Sequence, residues 1–184
     1  MVAPLILLLV SLAGVAAALT LPQFSDLILL AGPAAFASLL LLLLAYRALL
    51  GRKTWVVIDG SNVMHWKDRT ADIGTLREVL VSLGEQGLHP KVIFDANAGY
   101  KLAGRYQHDQ TFSRQLGLTR GQVKVVPKGT PADPLILAAA RDLGARVVTN
   151  DRYRDWAETY PEVAKPGHLI RGGYRNGELW LDLP

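Results

Sequence analysis

Trp55-Val56-Val57-Ile58-Asp59-Gly60-Ser61-Asn62-Val63 is the stretch that decides the fold. An apolar, largely β-branched run ends in a carboxylate, a glycine and two small polar residues. The run suits a strand buried on both faces, and its polar end suits a turn into a helix. Moving outward, residues 72–86 repeat apolar side chains at helical spacing through Ile73, Leu76, Val79, Leu80 and Leu83, and Lys91-Val92-Ile93-Phe94-Asp95 reads as a second strand. That is a βαβ unit. A strand over 122–126, a helix over 132–143, a strand over 145–149 and a helix opening at Asn150 or Asp151 continue the alternation. The reading is a three-layer α/β/α domain with a mainly parallel central sheet. Residues 174–181 hold an Asn176-Gly177 turn between two short strand-like runs, a hairpin signal.

In an open parallel sheet the functional crevice lies beyond the carboxyl ends of the strands, where the strand order reverses. Asp59, Asp95 and Asp151 stand at or just beyond such ends, and Asp133 starts the helix after the third strand. Asp155 follows Asp151 by one helical turn, which predicts a shared helix face. Singly, each acid has a structural use: Asp133 and Asp151 as helix N-terminal residues, Asp95 as the start of an Asx turn. Together, carboxylates gathered in one cleft require a divalent cation to stay charged. His65, His89, His108 and His168 lack metal-ligand spacing and read as surface groups, and Trp66, Trp156 and Trp180 read as packing residues.

The N-terminal segment has a different composition. Between residues 1 and 50 the only charges are Asp26 and Arg47, and the stretches 2–21 and 27–46 have none. As helices, each is long enough to cross a bilayer core of about 30 Å. Pro22-Gln23-Phe24-Ser25-Asp26 between them is room only for a tight turn. Arg47, Arg52 and Lys53 follow the second stretch and no basic residue lies in the turn, so the positive-inside rule places both termini in the cytoplasm. A signal peptide would need a basic n-region, which Met1-Val2-Ala3 does not supply. Gly14 with Ala18, or Ala34 with Ser38, have the small-residue spacing that permits close helix contact. The expected organisation is a membrane anchor over 1–50 and a catalytic domain over 51–184, facing the cytoplasm at the inner (plasma) membrane.

The absence of cysteine excludes disulfides, thiol nucleophiles and cysteine-rich zinc sites. The net charge of +4, carried almost entirely outside the first 50 residues, suits an anionic partner.

Val57-Ile58-Asp59-Gly60-Ser61-Asn62-Val63, the Ala132-Asp133 helix start, and Val148-Thr149-Asn150-Asp151-Arg152-Tyr153-Arg154-Asp155 together resemble NYN-domain ribonucleases of the Regnase type, in the PIN-like superfamily. The similarity runs over residues 53–161. It implies an endoribonuclease that cuts RNA, expected to be single-stranded, with Mg²⁺ or Mn²⁺ bound at the positions of Asp59, Asp133, Asp151 and Asp155. Asn62 would orient a phosphate or a metal-bound water. Ser61, Asn150, Arg105, Lys128, Arg152 and Arg154 are candidate substrate contacts, with Lys101, Arg114 and Lys124 also available to offset the acids against an RNA backbone. PIN-like domains often pair across a shared groove, so the resemblance admits a homodimer. The chain departs from animal Regnase-type proteins in having Pro134 where they carry a second aspartate, and in having no zinc finger.

Two rivals belong to other classes. Asp59-x-Ser61 also fits the start of the Asp-x-Ser-x-Ser site of von Willebrand A-like adhesion domains, but Val63 stands at the second serine position. A membrane-tethered module that binds RNA or protein without cutting would keep the fold and drop the chemistry.

Overall fold

The structure, a computed structural model, describes residues 2–50 and 53–183, the side chains of 48–50 apart. Gly51 and Arg52, the latter one of the basic residues in the orientation argument, lie outside the described residues. The chain divides into two compact units, Met1–Arg52 and Lys53–Pro184.

The first unit is a helical hairpin, α1 (Val2–Thr20) and α2 (Ile28–Leu50), joined by a 3-10 turn over Pro22–Leu27. Its outer surface is hydrocarbon: Val2, Leu29, Leu30 and Phe36 are each more than 70% exposed. The buried polar groups of the hairpin are Ser11 and Ser38. A Cβ on Gly14 would come within 3.1 Å of the Ala31 Cβ, so small residues set the closeness of the two helices. Both helices are long and apolar enough to cross a membrane by length and composition.

The second unit is built on a five-stranded, all-parallel sheet in the order β3-β2-β1-β4-β5. Its strands are β1 (Thr54–Asp59), β2 (Leu88–Phe94), β3 (Val123–Val125), β4 (Arg146–Val148) and β5 (Leu169–Ile170). Because side chains alternate along a strand, Val56 and Ile58 of β1 enter one apolar core and Val57 enters the other. The first core is closed by α4 (Ile73–Glu85) and α6 (Asp109–Leu116), the second by α7 (Asp133–Leu143). This is the three-layer arrangement the alternation implied. A one-turn helix, α3 (Gly60–Val63), leaves β1, and α5 (Ala98–Ala103) follows β2. Strands β6 (Gly172–Arg175) and β7 (Glu178–Leu181) form the C-terminal hairpin, with Asn176 and Gly177 both at positive φ as a two-residue turn of this kind requires.

Three differences from the sequence reading have physical causes. Strand β2 starts at Leu88, ahead of the expected Lys91, and runs through Pro90. Only β1 pairs beside it there, since β3 joins from Val92 onward, and the Gln122 side chain donates to the Pro90 carbonyl. Strand β5 and helices α5 and α6, too short or too polar to carry a clear period, were not foreseen. The helix expected at Asn150 or Asp151 does not form: beyond β4 the chain runs irregularly to a single 3-10 turn at Arg154–Trp156. Tyr153 has φ +48°, and Arg171 takes the Thr149 and Asp151 carbonyls that a helix would use. The shared helix face proposed for Asp151 and Asp155 is therefore absent.

Candidate active site

With β1 flanked by β2 on one side and β4 on the other, the strand order reverses at β1, and the loops leaving β1 and β4 meet there. Asp59 ends β1 and caps α3. Its Oδ1 accepts from the Asn62 N–H at 3.1 Å, and its Oδ2 accepts from Thr149 Oγ1 and from the Tyr153 hydroxyl, each at 3.1 Å. An added Cβ at Gly60 would sit 2.6 Å from Phe94 Cε1, so only glycine lets this turn lie against β2. Asp59 is 7% exposed. Burial pushes its carboxyl up to about 6, against the opposing pull of its three hydrogen-bond donors, and Asp133 adds a smaller upward push.

Asp133, first residue of α7, is also raised. Burial is the main cause, followed by the charge of Asp151; Trp156 offsets part of this and Asp155 adds to it. The four aspartates thus form a chain of like charges: Asp59 feels Asp133, and Asp133 feels Asp151 and Asp155. Asp59 and Asp133 line one open cleft of about 510 Å³, together with Ser61, Asn62, Asp95 and Lys101. Asp151 and Asp155 are exposed and act on it by charge from outside its wall.

Asn62 serves as a clamp. Its Oδ1 accepts from Trp66 Nε1 at 2.8 Å and from the Asn150 N–H at 3.0 Å, two donors that fix the amide orientation and leave Nδ2 for other work. Asn150 spends its side chain on both backbone polar groups of Gly172, tying the β4 loop to the hairpin. Ser61 Oγ accepts from the Asp95 N–H at 2.8 Å. Asn150 and Ser61, read as substrate contacts from sequence, are thus engaged in holding the loops. Asp151 Oδ1 accepts from the Tyr153 N–H at 2.8 Å, and Thr149 Oγ1 accepts from the Asp151 N–H while donating to Asp59.

The basic candidates separate. Lys101 is on the cleft wall, 3.6 Å from Asp95. Lys124 instead pairs with Asp109 at 3.6 Å, beside β3. Arg105, Arg114, Lys128, Arg152 and Arg154 are exposed and do not line the cleft. Sequence reasoning missed Thr149, Tyr153 and Arg171, which position Asp59 and the β4 loop. Tyr153, 2% exposed inside an otherwise polar run, was the one detectable signal. His65, taken as a surface group, is on the cleft wall with Nδ1 donating to the Ser61 carbonyl at 2.8 Å.

Among the described residues no three His, Asp or Glu side chains converge as direct ligands of one ion. The donor set still suits a hard divalent cation. It is all oxygen, its carboxylates repel one another, and Mg²⁺ commonly takes one or two carboxylates while keeping several waters.

The domain is thus a parallel α/β/α sheet with an acidic cleft at its switch point. The chain belongs to the family of the Zc3h12a-like ribonuclease NYN domain, whose model matches residues 52–170, and so carries an RNA-cleaving nuclease domain. No curated protein matches the sequence. Among solved structures it is similar to nuclear proteinaceous RNase P 2 (PRORP2) from A. thaliana, at 22% identity and TM-score 0.56. A second structure of PRORP2 matches at 20% identity and TM-score 0.53. Each match covers 72% of this chain and 30% of that one, and at this identity what is shared is the fold.

Proposed function

We infer that the chain is a membrane-anchored endoribonuclease whose aspartate cleft works with a divalent cation, Mg²⁺ or Mn²⁺. The observation that carries the reading is the coupled burial and mutual repulsion of Asp59 and Asp133, reinforced by Asp151 and Asp155, at the switch point of a ribonuclease-family sheet. Burial and the neighbouring acid raise Asp59 and Asp133 above the ordinary carboxylate range, and a bound divalent cation would offset the charge gathered there. Asp59 and Asp133 are the residues that would hold it within the cleft, with Asp151 and Asp155 supplying further negative field. A bound ion would supply a water of lowered pKa and stabilise charge on the scissile phosphate.

The remaining roles belong to the chain itself. Asn62 offers Nδ2, a donor suited to a phosphate oxygen or an ordered water. Lys101 offsets the acids for an incoming backbone. In-line hydrolysis would leave a 5′-phosphate and a 3′-hydroxyl. The test is titration of Mg²⁺ against cleavage of a labelled single-stranded RNA. Scission should rise with the ion and be lost in Asp59→Asn and Asp151→Asn; binding without scission would leave the non-catalytic module.

Anchoring rests on the all-round apolar surface of α1 and α2 and on the charge asymmetry around them. On this reading the nuclease domain, residues 51–184, would face the cytoplasm at the inner membrane. The full chain should float with liposomes, and a chain lacking residues 1–50 should not. Pairing of two copies across a shared groove rests on the PIN-like resemblance alone, and light scattering of the detergent-solubilised chain would test it.

A further inference from the structure

Beside the aspartate cleft, on the same edge of the sheet, lies a second groove of about 560 Å³, within the range of ~300–1,000 Å³ common for small-ligand sites. Its walls are the exit of β3, including Val125 and Pro127, and the segment that leads into α6. Strand β3 pairs with β2 so that Val125 is level with Phe94, and the residue after Phe94 is Asp95, which lines the aspartate cleft. Val125 of the groove and Asp95 of the cleft therefore stand at the ends of neighbouring strands.

The groove is aromatic and basic. Tyr106 is 42% exposed, and its ring is braced by His108 at 4.8 Å in an edge-to-face arrangement. The groove's acid, Asp109, is already engaged: Oδ1 accepts from the Val125 N–H at 2.8 Å, and Oδ2 lies 3.6 Å from Lys124 Nζ. Arg120, also lining the groove, forms no ion pair among the described residues. A braced, half-exposed ring in one groove with an unpaired arginine is the combination that holds a single-stranded nucleotide, with the base on the ring and the phosphate on Arg120, and Lys124, shared with Asp109, adding to the field.

We propose that the groove formed by Tyr106, His108, Arg120 and Lys124 is a subsite for a nucleotide flanking the scissile phosphate, and that it selects single-stranded RNA. This rests on the nuclease reading for the placement of the scissile bond, while the binding itself does not. A base within a duplex is covered on both faces by its neighbours and cannot stack on Tyr106, so the subsite rejects helical RNA.

The test is fluorescence anisotropy of the full chain in detergent micelles with a short labelled single-stranded RNA, with EDTA to prevent cleavage. Tyr106→Ala should raise Kd by roughly 5-fold or more, Tyr106→Leu should do the same, and Tyr106→Trp should keep binding near wild type. Arg120→Ala should flatten the dependence of log K on log salt by about 0.7. Thermal melting of each variant checks that it is folded. The proposal is overturned if folded Tyr106→Leu binds as wild type, if the same sequence annealed to its complement loses affinity equally, or if the wild-type chain binds no RNA. Cleavage is scored separately. Binding that depends on Tyr106 without any scission overturns the nuclease reading and keeps the subsite; scission with Tyr106 indifferent does the reverse.

Discussion

The loop after β1 and the loop after β4 bring the acids of the site together by opposite means. After β1, Asp59 begins a turn that satisfies itself locally, with its carboxylate capping Asn62 three residues on and the chain closing into α3. After β4, the run 149–155 has comparable residues but no helix. It is fixed from a distance, by Asn62 on the Asn150 N–H, by Arg171 on two carbonyls, and by Tyr153 reaching back to Asp59. The first loop has a sequence-local frame in the Asn62 cap, to which Ser61 adds a bond from the Asp95 N–H. The second exists only once β1, β4 and the hairpin are assembled.

The largest effect that would separate the two is expected at Asp59 itself. Asp59→Asn should reduce RNA cleavage by about 100-fold or more while the protein stays folded, measured as initial rate on labelled RNA beside a melting curve. The same group makes a pH prediction of known sign. Its folded value, about 6, lies above the ordinary 3.8, so the stability it confers is fully present below pH 3.8 and is lost as pH rises through about 6. In the wild-type chain held free of divalent ions, stability should fall by roughly 2–3 kcal/mol across that window, and Asp59→Asn should flatten the slope. An unchanged slope would show that Asp59 is not buried as described.

Next in size is the clamp between the two loops. Asn62→Ala leaves Trp66 Nε1 and the Asn150 N–H without their acceptor, at an expected cost of about 1–3 kcal/mol in chemical denaturation. Cleavage should fall with it, because the β4 loop loses its register on Asp59. If Asn62→Ala reduced cleavage with no loss of stability, the clamp would be secondary to a direct role on substrate.

Tyr153→Phe is a smaller and more selective change. It removes one of two donors to Asp59 Oδ2, for about 1 kcal/mol, and by withdrawing a bond to the charged form it should move the acid limb of the pH–rate profile upward. A profile that does not move would uncouple the second loop from the first. Lys101→Ala should change stability least, by less than about 1 kcal/mol, since its pairing with Asp95 is solvent-exposed. Its effect should appear as a higher KM for RNA that converges with wild type at high salt.

What could be read in the chain without coordinates follows this division between local and assembled structure. The buried strand around Val57, the helix capped by Asp72 and the Asn176-Gly177 turn are each encoded by neighbours in sequence, through side-chain alternation, capping and positive φ, so they were legible. Placement of Asp59 and Asp133 beyond strand ends was legible for the same reason. The helical spacing of Asp151 and Asp155 was a wrong inference from a locally plausible pattern, because Arg171, remote along the chain, takes carbonyls that a helix would have used, and Tyr153 stands at positive φ.

The sequence by itself thus determined strands β1 to β4 and the C-terminal hairpin, their order of appearance, the apolar hairpin ahead of them and the acids at the ends, since these depend on period, propensity and charge within short windows. Only the tertiary structure decided that Asn150 and Ser61 hold loops, that Tyr153 and Thr149 tune Asp59, and that Lys124 belongs to a neighbouring groove. Those outcomes depend on which donor lies nearest to which acceptor after the sheet has closed, and hydrogen-bond partners across tens of residues leave no periodic trace in the chain.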